Sequence, residues 1–224
     1  MNHGDFVLNL LKEVPKTGKT IVLIRHSERN SFKGIPDNLR EGVEITMDGI
    51  HMARAFGESL GQIFPGKRML LGHTAAHRCK MTAESISDGY SSSGDVQLLG
   101  CLPDVKSVVA NPDKYIELRE EFGWQCLMQK WLELEITEQT LENPQKYCDN
   151  LLGSLVSFSE MNDNDLLVVI AHDVTIFPII FSVFGKPVTS INFLNGVVIT
   201  GDSTTFKIQY ADADHSLKAE WSNL

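Results

Sequence analysis

The stretch Thr20-Ile21-Val22-Leu23-Ile24-Arg25-His26-Ser27-Glu28-Arg29 decides the fold. Thr20–Ile24 is an unbroken β-branched and apolar run, the composition of a strand buried on both faces. Such strands sit at the centre of parallel sheets covered by helices. This one runs directly into two arginines and a histidine, which places a polar cluster at the strand's carboxyl end. In open α/β sheets that edge is where ligands bind.

Reading outward, the pattern repeats. Arg68–Leu71 is a second short strand leading to Gly72-His73-Thr74, and a helix covering about Ala75–Ser87 follows. Leu166–Ile170 is a third apolar strand, ending at Ala171-His172-Asp173, with a helix expected to begin near Thr175. Val96–Leu99 reads as a further strand, and Val197–Thr200 and Thr205–Tyr210 flank Gly201-Asp202-Ser203 as a hairpin. Phe6–Leu11 has the spacing of a short amphipathic helix. Thr46 is placed as an N-cap for a helix carrying Ile50, Ala53, Phe56, Leu60 and Ile63, stopped by Pro65-Gly66. The stretch 104–160 is helical in composition, with Pro112 and Pro144 as boundaries. Together these predict one α/β domain over residues 1–224: three α/β/α layers, a central, mostly parallel sheet, and a small inserted helical cap at 104–160.

Composition narrows the function classes. The chain has 224 residues, 42% of them hydrophobic and 22% charged, enough to bury a sizeable core. Twenty basic and 29 acidic residues leave a net charge of −9, and no run of Lys or Arg offers a basic face. A nucleic-acid partner is therefore not expected. No segment approaches the apolar length of a membrane span, and residues 1–20 lack the apolar core of a signal peptide. The four cysteines, Cys79, Cys101, Cys126 and Cys148, are scattered without a C-x-x-C pair, which favours reduced thiols in a cytoplasm.

Three strands thus deliver polar clusters to one edge: Arg25–Arg29, His73–Arg78 and His172-Asp173. Crowding guanidinium groups around an imidazole costs stability unless an anion neutralises them. Arginine forks suit phosphate and carboxylate oxygens, to which they give bidentate, charge-assisted hydrogen bonds. Arg25, Arg29, Arg78 and His172 therefore describe an oxyanion pocket with His26 inside it.

Arg25-His26-x-x-Arg29, then Arg78-x-x-x-Thr82-Ala83-Glu84, then His172-Asp173 before Val174-Thr175-Ile176 resemble, in that order, the motifs of the histidine phosphatase superfamily. Ile21–Ile24 looks like its first strand, and Thr46-x-x-Gly49 resembles its T-x-x-G helix start. The resemblance spans roughly Thr20 to Ile180. His172-Asp173 followed by Thr175 looks most like the histidine acid phosphatase branch.

That resemblance implies a metal-independent phosphomonoesterase. His26 is the nucleophile, Arg25, Arg29, Arg78 and His172 bind the phosphoryl oxygens, and Asp173 is the proton donor. Ser27, His73 and Thr74 are candidate substrate contacts. The implied substrate is a small phosphorylated metabolite, with no cofactor and no metal.

Two other readings of the same pocket are a phosphoglycerate-mutase-like phosphotransferase and a non-catalytic phosphate-ligand module. The mutase branch uses a glutamate after the second motif, and Leu118–Trp124 only partly resembles that branch's L-x-E…G-x-W stretch. A binding module would need neither a nucleophile nor an acid. His172-Asp173 could also belong to a metal-binding HD pair, but such pairs sit on helices with further His and Asp ligands, and no partner set is found.

Overall fold

The computed structural model describes residues 3–201 and 205–222. Among them, seven strands form one sheet in the order β3-β2-β4-β1-β5-β6-β7. The strands are β1 (Lys19–Arg25), β2 (Met69–His73), β3 (Val96–Cys101), β4 (Leu166–Ala171), β5 (Gly196–Gly201), β6 (Thr205–Ala211) and β7 (Ser216–Ser222). The half formed by β3, β2, β4 and β1 is parallel, whereas β5, β6 and β7 extend it antiparallel from β1. The apolar runs read from the sequence are the sheet's centre, and β1 and β4 are almost wholly buried. Asp202 and Ser203, expected in the hairpin turn, lie outside the described residues.

Alternation along β1 divides the interior in two. Val22 and Ile24 face one side, with α1 (Asp5–Glu13), α2 (Met47–Ile63) and α3 (His77–Tyr90) packed over them. Ile21 and Leu23 face the other, covered by α5 (Trp124–Leu132), α6 (Pro144–Val156) and α7 (Asp173–Phe184). This is the three-layer α/β/α arrangement expected. Short α4 (Pro112–Phe122) precedes α5 and has no buried residue of its own.

The helical stretch after β3 is thus split in use. Helix α6 buries Leu151, Leu152, Leu155 and Val156 against the main core, while α4 and the start of α5 stand over the carboxyl edge of the sheet.

Several elements depart from the sequence reading. Helix α7 begins at Asp173 rather than near Thr175, because His172 already has the extended conformation of an N-cap. Helix α3 runs two residues later than expected at its start and three later at its end. Strand β7 is not anticipated at all: its burial alternates between exposed and half-buried, so no apolar run betrays it. No described helix is long and apolar enough to cross a membrane. All four cysteines are free, with Cys79 and Cys148 buried.

Trp131 on α5 is the largest fully buried side chain, and its indole N–H donates to the Glu142 carbonyl at 2.7 Å. Trp131→Ala leaves a large cavity and an unpaired carbonyl, so unfolding in denaturant should show a loss of about 3–5 kcal/mol. A change below about 1 kcal/mol would mean that α5 is not anchored through this residue.

Candidate active site

The loop after β1 carries the centre of the site. Its shape is fixed by the start of α2, where Thr46 caps the helix by accepting from the Gly49 N–H at 2.9 Å. The Thr46 N–H donates to the Glu28 carbonyl at 2.9 Å, and the Thr46 hydroxyl donates to the Glu28 carboxylate at 2.9 Å. Ser27 donates its hydroxyl to the Gly49 carbonyl at 2.7 Å. A methyl group added to Gly49 would lie 2.2 Å from the Glu28 carbonyl oxygen, so only glycine lets helix and loop approach this closely. The T-x-x-G pattern is therefore a brace for the His26 loop.

His26 is buried, and its Nδ1 lies 2.7 Å from the Ser27 carbonyl. A carbonyl can only accept, so Nδ1 carries the proton and Nε2 keeps its lone pair. Arg78 Nε donates to that Nε2 at 3.2 Å. Burial first, then His172, then the Arg78 and Arg25 guanidinium groups hold the imidazole well below its ordinary pKa, despite the opposing Ser27 carbonyl. His26 is an uncharged base among cations.

The neighbouring arginines are held by backbone carbonyls, ring faces and one carboxylate. Arg78 gives Nη1 to the Arg40 carbonyl at 2.8 Å and Nη2 to His172 Nδ1 at 3.4 Å. Arg25 donates to the Ile191 carbonyl, stacks over Phe193 at 4.5 Å and lies 3.6 Å from the Asp173 carboxylate. Its Nε is buried without a hydrogen-bond partner. Arg29 stacks 3.3 Å above the Phe32 ring, which Arg40 and Arg78 also approach at 5.2 and 5.4 Å. Burial, followed by Arg78 and Arg25, lowers the Arg29 pKa to about 10. Cations that depress one another around an unpaired N–H form a receptor for an anion.

From the third strand, His172 places Nε2 3.2 Å from the Thr74 hydroxyl. Burial, followed by Arg78, Arg25 and Arg29, pushes its pKa down to about 3. Asp173 opens α7, and its Oδ1 accepts from the Val174 N–H at 3.0 Å.

Arg25, His26, Arg29, Arg78, His172 and Asp173 all line one cavity of about 800 Å³. The other three candidates do not. Ser27 is fully buried behind the loop, Thr74 is buried behind His172, and His73 lines a separate, smaller pocket beside Lys80 and Leu98. Glu120 is exposed and lies off the cavity, although Trp124 in the same segment lines it.

Sequence reasoning missed Phe32, Asp37, Arg40, Tyr115 and Arg119, which also line the cavity. The loop between Arg29 and Thr46 has no periodicity to read, and a 3₁₀ turn at Asp37–Gly42 turns Arg40 inward. The aromatic Phe32 three residues after Arg29 was the one available signal.

No family model matches the sequence, and no curated protein is a significant sequence match. Solved structures do match. Mycobacterial glucosyl-3-phosphoglycerate phosphatase aligns at 14% identity over 91% of this chain and 97% of its own, with a TM-score of 0.51. The same enzyme in complex with VO3 gives a TM-score of 0.51 at 13% identity, over 92% and 97% of the two chains. YhfR of Bacillus stearothermophilus aligns at 14% identity over 89% of this chain and 94% of its own, with a TM-score of 0.52. The chain therefore has the phosphoglycerate-mutase-like α/β fold that these proteins share.

A testable consequence follows from His172. In the unfolded chain its imidazole takes up a proton near 6.5, whereas in the folded chain it stays neutral until about 3. Lowering the pH through that window therefore favours the unfolded state. The urea midpoint should fall as pH drops below 6.5, and His172→Asn should show a shallower fall. Identical slopes in the two proteins would show that His172 titrates normally in the folded chain.

Proposed function

We propose that this chain is a member of the histidine phosphatase superfamily and hydrolyses phosphomonoesters through a phosphohistidine on His26. The observation that carries the reading is the uncharged His26, its unprotonated Nε2 facing Arg78 inside a cavity that Arg25 and Arg29 also line.

The Nε2 lone pair attacks phosphorus in line, forming an N–P bond as the bond to the ester oxygen breaks. Arg25, Arg29 and Arg78 hold the non-bridging oxygens, where charge is spread in the transition state. His172 completes that ring from the end of β4. The leaving alkoxide is strongly basic, and Asp173 gives it a proton. Water then attacks the phosphohistidine, passes its proton to Asp173 and releases inorganic phosphate, which returns His26 to its starting state. The guanidinium groups supply the positive charge for both displacements.

Burial and crowding support the nucleophilic role specifically. A protonated imidazole has no lone pair to offer, and the same cations that bind phosphate keep His26 unprotonated. Phosphate binding needs no such tuning.

Turnover of a chromogenic phosphate ester in the presence of chelator is the test. His26→Ala should abolish phosphate release, and Asp173→Asn should lower kcat by about 10²- to 10⁴-fold. Rapid quenching should trap an acid-labile phosphoryl group in the wild type and none in His26→Ala. Undiminished turnover in His26→Ala would overturn the mechanism, and isomerisation of a phosphorylated acid without phosphate release would favour a mutase.

A further inference from the structure

The cavity is electrically uneven along its depth. Around His26, Arg25, Arg29 and Arg78 gather with Asp173 beside Arg25, while His172 is uncharged. The inner end is therefore cationic whether Asp173 is ionised or holds the proton it donates, and suits one phosphoryl dianion. Towards the mouth, Arg40 and Arg119 stand among Asp37, Glu41 and Asp113. Those two arginines share one carboxylate: Asp37 pairs with Arg40 at 2.5 Å and with Arg119 at 2.7 Å. The outer end thus has more acids than bases, with an excess of one negative charge.

The wall beside that outer end is apolar. Val109, Pro112, Tyr115, Ile116 and Trp124 from the stretch after β3, with Val174 from α7, line it. Tyr115 and Trp124 are half-buried and pack against the main core, which holds both rings in the cavity wall. Glu41 and Asp113 are exposed at the rim, where water solvates them. A leaving group lying along this wall gains by burying apolar surface, whereas a carboxylate or second phosphate there meets an excess of acids.

We propose that the substrates are phosphomonoesters with a single anionic group, whose alcohol portion is an uncharged, apolar or aromatic body seated against Tyr115, Ile116 and Trp124. This rests on the hydrolase reading above and specifies the part of the substrate that reading leaves open. The cavity has room for it: about 800 Å³ is far more than a phosphoryl group and a three-carbon acid occupy.

The test compares alkyl esters, so that leaving-group basicity stays nearly constant. Phosphate release from 3-phenylpropyl phosphate, propyl phosphate, 3-phosphoglycerate and phosphocholine is measured as kcat/KM, with His26→Ala as the blank. The phenylpropyl ester should exceed propyl phosphate by about tenfold or more, mainly through KM, and should exceed both charged esters. In Trp124→Ala and Tyr115→Ala the ratio of phenylpropyl to propyl ester should fall towards one. Preference for 3-phosphoglycerate or phosphocholine would overturn the inference while leaving the hydrolase intact, as would equal turnover of the phenylpropyl and propyl esters. Release from none of the four would overturn the hydrolase reading and this inference with it.

Discussion

Repulsion among Arg25, Arg29 and Arg78 around an uncharged imidazole is the constraint on which the rest of the site depends. Two unit charges about 4 Å apart cost about 4 kcal/mol at a dielectric typical of a protein surface. The fold holds the cations in place without cancelling them. A ring face lies beneath Arg29, backbone carbonyls receive Arg78 and Arg25, and the Asp173 carboxylate lies beside Arg25. Part of the positive charge stays unneutralised. Burial first, and then that field, keeps His26 and His172 deprotonated, so the cationic cluster and a free lone pair are maintained together.

Much of the fold was legible because its centre is written as contiguous apolar runs. Strands β1, β2 and β4 are buried on both faces, and burial on both faces leaves a signal within four to six residues. Strand β7 leaves none. Its Leu217, Ala219 and Trp221 alternate with exposed Ser216, Lys218, Glu220 and Ser222, and the pairing with β6 that makes it a strand is a tertiary fact. Helix α6 was misjudged for a related reason: helical periodicity reveals an apolar stripe but not which surface it covers.

Within the site, legibility followed the same division. His26 and its arginines stand directly after a strand or within the first turn of the helix that follows one, where position in sequence fixes position in space. Phe32, Arg40 and Arg119 depend on how an irregular loop and α4 fold back over the sheet edge. Ser27 and Thr74 show the reverse case. Adjacency to the right residues suggested substrate contact, but in each the side chain turns away and braces the neighbouring element instead.

Strand order has a consequence for how this molecule comes into being. Strand β4 lies between β1 and β2, yet about a hundred residues of chain separate it from β2 and still more from β1. During synthesis from the amino terminus, the first two strands emerge with the slot between them vacant. Non-local parallel pairing of this kind is slow, because the loops must close before any contact rewards them. The site is therefore complete only when β4 intercalates, because His172 and Asp173 follow that strand directly. A chain halted before residue 166 would leave both edges of β1 and one edge of β2 unpaired, because β4 and β5 still lie ahead.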